Sequence, residues 1–118
     1  MSSIVEPNDR GDARPCFIAD ALDVIGDRWS ILILRELGYG VRRFNDIRTN
    51  TGAPKETLTL RLRKLEDAGL ISRKSYSEHP PRHEYALTPA GKKIRPVLTA
   101  LRRWGESQAT PETDAAAV

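Results

Sequence analysis

A mainly α fold with a small β wing, a winged helix-turn-helix, is what this sequence predicts, and three observations predict it. Between Pro54 and Ser75, Leu58, Leu62 and Leu65 recur at i, i+4 and i+7, an apolar stripe opposite a polar and mostly cationic face. A short helical segment precedes that stretch across Thr51-Gly52-Ala53, and a β hairpin follows it, the order of a helix-turn-helix with a wing. Charge is the third: residues 42–83 hold ten Lys/Arg and five Asp/Glu, a balance of +5, whereas residues 1–41 hold four and seven, a balance of −3. A basic middle in a chain of net charge +3 points to a polyanion partner.

The 118 residues amount to one domain. Residues 1–14 are polar and broken by Pro7 and Gly11, so a flexible arm is expected there; residues 15–108 form the domain and 109–118 a disordered tail. No apolar run approaches the roughly 20 residues that span a bilayer, which argues against a membrane partner. The N-terminus lacks the apolar centre of a signal peptide and a lone cysteine cannot pair within the chain, so the expected address is cytoplasmic.

In chain order, Ile18, Ala21, Leu22 and Ile25 keep helical spacing in a first helix from Cys16 to Ile25. Gly26-Asp27 breaks it, and Asp27 caps a second helix from Arg28 to about Leu37 with Trp29, Leu32, Ile33 and Leu37 inward. Gly38-Tyr39-Gly40 ends that helix, Val41–Phe44 is long enough only for a β bridge, and Asn45 to about Asn50 forms a third helix. Pro54 suits the first turn of the fourth helix and Gly69 its left-handed exit. Strands are expected at Ile71–Ser77 and Glu84–Leu87, joined by a loop whose paired prolines stiffen it and whose Arg82 and His83 form the tip. Thr88 and Pro89 open one last helix through about Ser107, kinked at Pro96, with Ile94, Val97, Leu98, Leu101 and Trp104 on one face. So small a domain has little with which to cover that face, and self-association covers it.

Enzyme chemistry finds no support. No phosphate-cradling glycine pattern occurs, and Gly38-Tyr39-Gly40 is a helix exit. His79 and His83 sit four apart on a proline-containing loop, distant in sequence from the single cysteine, which favours neither a metal site nor a nucleophile and base; no cofactor is expected. Cys16 follows Pro15 at a helix start, where the helix dipole favours a thiolate suited to sensing oxidants or electrophiles, but position alone favours the plainer reading of a small apolar residue packed at a helix start. Trp29 and Trp104 read as core or interface residues, with a non-covalent effector pocket between them as the other reading.

Taken together, Cys16, Ile25-Gly26, Arg28-Trp29, Ile33–Leu37, Arg43–Ile47, Leu58-Thr59, Leu62-Arg63, Leu65-Glu66 and Gly69–Ile71 make the chain resemble the HxlR-type transcriptional regulators, a winged-helix family related to the MarR group. Pro81-Arg82, Glu84-Tyr85, Leu87-Thr88, Gly91, Pro96–Leu98 and Trp104-Gly105 continue the series, so the resemblance runs from about Cys16 to Glu106. It implies a homodimer through the first and last helices, with Ile18, Leu22, Val97, Leu98, Leu101 and Trp104 at the interface. It also implies a near-palindromic double-stranded operator, control of a neighbouring gene, and in some members sensing of oxidants, quinones or aldehydes at the place of Cys16. Any disulfide here joins two subunits or a small thiol. His83 stands where many relatives carry an aliphatic residue.

On this basis Thr57, Thr59, Arg61 and Arg63 are expected at base edges or adjacent phosphates, Lys55 and Lys64 on phosphates, Arg82 with His79 and His83 in the flanking minor groove or on its phosphates, and Arg42 and Arg43 on backbone. The expected function is a sequence-specific DNA-binding regulator, a repressor, with Cys16 as its sensing candidate. A winged-helix module binding an acidic protein surface is the alternative from another class, and RNA binding a third.

Overall fold

The computed structural model describes residues 14–109; most of the expected N-terminal arm and nearly all of the expected tail lie outside them. Six helices and one hairpin follow in the order α1 (Phe17–Ile25), α2 (Arg28–Gly38), α3 (Phe44–Thr51), α4 (Lys55–Asp67), β1 (Ile71–Glu78), β2 (Pro81–Leu87), α5 (Pro89–Lys92) and α6 (Arg95–Ala109). The strands pair antiparallel, from Ile71 opposite Leu87 to Glu78 opposite Pro81. A mainly helical fold with a two-stranded wing is what the periodicity predicts.

The core sits where α2, α3 and α4 converge on the base of the hairpin. Ile33 and Leu34 of α2, Ile47 of α3, Leu58, Leu62 and Leu65 of α4 and Ile71 of β1 are essentially removed from solvent. Burying each such side chain contributes about 1.5–3 kcal/mol, so the leucine stripe is the main anchor of α4. Leu34 was not expected inside; α2 is covered on two sides, and its apolar face is correspondingly wider than the stripe inferred from spacing.

Three polar side chains are buried with the core: Ser30, Glu36 and Thr51. Glu36 receives Arg35 at 2.8 Å and the Asn50 side-chain amide at 2.8 Å, which ties α2 to the end of α3. The Thr51 hydroxyl donates to the Ile47 carbonyl at 2.8 Å and accepts from the Ala53 N–H at 3.2 Å, holding the turn before α4. Among the described residues no buried side-chain polar atom lacks a partner, which meets the general cost of desolvating such groups.

Two expected elements differ. The hairpin loop is shorter than anticipated: only His79-Pro80 connect the strands, so Arg82 and His83 lie within β2 opposite Ser77 and Ser75 rather than at a tip. The final helix is two helices, not one kinked rod. Pro96 has no N–H to continue the ladder from Lys92, so α5 closes with Ile94 donating back to Gly91 at 3.1 Å. The chain then restarts with Pro96 in the first turn of α6, where a missing N–H costs nothing.

Gly91 is dictated by contact rather than by torsion. A Cβ there would overlap the Leu70 carbonyl oxygen, because α5 lies directly on the strand entry; Thr88 donates to the Gly69 carbonyl at 2.6 Å and accepts from Gly91 at 3.0 Å. Gly91→Ala should therefore lower stability by about 1–3 kcal/mol in a urea melt, the general range for overpacking. An unchanged melt would show that this approach is loose.

Candidate nucleic-acid interface

Rotation of α4 is set by its leucines, and the other side chains fall where about 100° per residue places them. Lys55 and Thr59 face the wing, Arg61 and Lys64 turn toward Asp27 at the head of α2, Thr57 is half-buried, and Glu56, Leu60 and Arg63 are exposed. Thirteen residues give α4 a length of about 20 Å, and a helix of this diameter enters the major groove of B-DNA, about 12 Å wide.

Between the first turns of α4, the start of α3 and the wing lies an open cleft of about 550 Å³. Lys55, Thr59, Arg43, Arg82 and His83 line it, with Asp46, Tyr76 and Tyr85. Five of the residues expected from sequence to touch nucleic acid thus share one concave surface. Arg42 does not; it sits on the far side of the bridge between Arg43 and Glu84, its carbonyl accepting the Tyr85 N–H at 2.8 Å. His79, at the turn, is also outside the cleft lining.

The wing is held in place by Arg43. Its guanidinium lies 4.2 Å from the Tyr76 ring centroid, and its Nε donates to Glu84 at 3.3 Å. Tyr76 is the extra residue of a bulge, since Ser75 faces His83 while Ser77 already faces Arg82. The bulge turns the ring toward Arg43, a use of irregular strand geometry that spacing alone does not reveal. Burial pushes the Tyr85 hydroxyl above its ordinary pKa, with Arg73 opposing the shift.

Arg61 departs from expectation. Its Nε donates to Asp27 Oδ2 at 2.9 Å, and Lys64 Nζ stands 3.8 Å from Oδ1 of the same carboxylate. Arg61 is therefore committed to α2 rather than presented with Arg63, which is exposed. Thr59 is exposed too, although its hydroxyl donates back to the Lys55 carbonyl at 3.0 Å. Asp27 does two jobs: it caps α2 by accepting from the Ser30 N–H at 2.9 Å and hydroxyl at 2.7 Å, and it grips α4 through Arg61. The capping role is legible in the sequence, whereas the grip depends on a contact 34 residues away.

Outside the cleft lining, Cys16 is the N-cap of α1, half-buried, with Sγ accepting from the Ala19 N–H at 3.4 Å. Beside it Ile18 and Leu22 are exposed, as are Val97, Leu101 and Trp104 on α6; Leu98 is partly buried against the core. Trp29 also packs on the core. No described helix is long and apolar enough to cross a membrane.

The model of the HxlR-like helix-turn-helix family matches residues 24–113. An uncharacterized HTH-type transcriptional regulator of Mycobacterium tuberculosis is 46% identical over 89 residues, covering 75% of this chain and 56% of that relative. The chain thus spans little more than half of the mycobacterial protein's length. A second relative, from Synechocystis, also an uncharacterized HTH-type transcriptional regulator, is 44% identical over 104 residues, covering 81% of this chain and 77% of its own. Among solved structures, the redox regulator HypR is similar in its oxidized form (36% identity, TM-score 0.72, 78% of this chain and 96% of that one) and in its reduced form (34%, 0.74, 83% and 99%).

The Asp27 grip has a pH signature. Burial raises the Asp27 pKa, but hydrogen bonds from Ser30 and Arg61 outweigh it and hold the carboxyl below its ordinary value. A folded-state pKa below the unfolded one contributes stability above the ordinary carboxylate range, and that contribution is lost as pH falls through the lowered value. Asp27→Asn keeps a good cap yet loses the charge pair, so it should be less stable than wild type at neutral pH by on the order of 1 kcal/mol, converging with it in acid. Parallel urea melts check this; a gap that persists at low pH would assign the loss to capping.

Proposed function

Because the chain belongs to the HxlR-like helix-turn-helix family, we propose that it is a transcriptional regulator that binds double-stranded DNA as a homodimer, with α4 in the major groove and the wing on the flanking backbone. The observation that carries this is the shared cleft, where Lys55 and Thr59 of α4 meet Arg82 and His83 of the wing. A helix and a hairpin presenting cations to one surface fit a duplex, whose phosphates line both walls of the groove. Arg63 extends that surface along the helix, and Lys64, beside Asp27, adds its charge at the α2 end. Arg43 serves mainly to hold the wing, and Arg61 to hold α4.

Homodimerisation is supported by the exposed apolar side chains of α1 and α6, which a second copy would bury. Two copies related by a twofold axis address a near-palindromic operator. We assign the chain the role of a repressor, since a dimer seated on an operator blocks access to it, and Cys16 the role of its sensor. The likeness to a redox regulator solved in two oxidation states supports the latter, as does the position of Cys16 beside the exposed face of α1. As the only thiol in the chain, it can form a disulfide only with a second subunit or a small thiol.

Fluorescence anisotropy with the duplex upstream of the chain's own gene, against a scrambled duplex and at two salt concentrations, tests the proposal. Selective binding with two chains per site and a steep salt dependence is expected; weak, salt-insensitive binding to both duplexes would point instead to a protein partner. Arg82→Ala should weaken binding to every sequence and reduce the salt slope by about 1, the change general to a lost phosphate contact. Wild-type slope in that variant would remove Arg82 from the backbone.

Diamide separates sensing from packing at Cys16. Cys16→Ser should bind DNA as wild type does and no longer respond to the oxidant. Release of DNA by the serine variant under diamide would exclude the thiol from the mechanism.

A further inference from the structure

Nine large hydrophobic side chains are exposed among the described residues. Six belong to α1 and α6, on the face assigned above to a second copy, Tyr76 lies under Arg43, and Tyr39 ends α2. Leu60 alone stands on α4, 55% exposed, in the middle of a helix otherwise chosen for charge. Its angular position is roughly opposite the buried stripe of Leu58, Leu62 and Leu65, so it occupies the outermost line of the helix. Glu56, one turn earlier, shares that line and is also exposed.

Neither residue suits a phosphate. An apolar side chain gains nothing from one, and a carboxylate is repelled by it. Both suit base edges: in the major groove thymine presents a C5-methyl group and cytosine an N4 amino donor. Of the nearby cations, Arg61 and Lys64 turn toward Asp27, and Arg63, seven residues after Glu56, continues the outer line beyond the pair without covering it. Residues four apart are separated by about 6 Å along a helix, a little under two base steps of about 3.4 Å. One α4 inserted by its outer line therefore presents both side chains to the same half-site.

We propose that Glu56 and Leu60 are the specificity-determining pair of α4, Leu60 packing on a thymine C5-methyl and Glu56 accepting a hydrogen bond from a cytosine N4 amino group about two base steps away. This rests on the DNA-binding function proposed above and names the bases that it reads.

The test uses a duplex enriched from a random-sequence pool by the wild-type protein, with affinities measured by anisotropy. Each thymine is replaced singly by uracil, which deletes only the methyl group. At one position per half-site the replacement should weaken wild-type binding about fourfold, the equivalent of one buried methyl, while Leu60→Ala should bind the thymine and uracil duplexes alike. Glu56→Ala should bind scrambled duplex more tightly, having lost a negative charge, yet lose a preference of about tenfold for a C·G pair at one position. If wild type tolerates uracil at every position, or Leu60→Ala keeps the full thymine preference, Leu60 does not read a methyl group. If Glu56→Ala keeps its cytosine preference, Glu56 is not the acceptor. These outcomes leave DNA binding itself standing, because the parent duplex is bound in every comparison. Failure to enrich any duplex would overturn both the DNA-binding function and this pair.

Discussion

Everything exposed on α4 depends on what is buried on it. Leu58, Leu62 and Leu65 are removed from water almost completely, and rotating the helix by even one residue would exchange them for Thr59, Arg63 and Glu66. The free energy of that burial, several kcal/mol in all, locks the helix about its own axis. The wing side of α4, its α2 side and its outermost line are consequences of that lock.

Burial does not by itself fix the tilt and height of the helix, and here charge takes over. Asp27 holds the middle of α4 through Arg61, Glu36 ties α2 to the end of α3, and Arg43 ties the start of α3 to the wing. Three arginines in or near the basic middle, Arg35, Arg43 and Arg61, thus spend their guanidinium groups within the fold. Lys55, Arg63 and Arg82 remain for a partner. A planar, always charged guanidinium can satisfy a carboxylate with directed bonds, whereas an exposed lysine is a mobile point charge, and the division of labour follows that difference.

Periodicity made most of the architecture legible. The elements through α4, the β bridge at Arg43, the cap at Asp27 and the inward leucines of α4 follow from repeats of 3.6 residues and from residues with strong terminal preferences. The departures depend on events between elements. In the sequence Pro96 reads as a kink because a proline inside an apolar repeat is locally ambiguous; the packing of Gly91 on Leu70 and the unfilled place in the ladder decide for two helices. Tyr76 gave no signal at all, since a bulge is set by the register of both strands.

The sequence by itself determined the class of fold, the leucine stripe that seats α4 and the basic character of the segment around it, because each is a property of spacing or composition within one segment. Which cations face outward was decided only by the tertiary structure. Arg61 and Arg63 are equivalent in charge and two residues apart, yet one meets Asp27 at 2.9 Å and the other is left to solvent. The difference is made by a carboxylate on another helix, and no local pattern contains it.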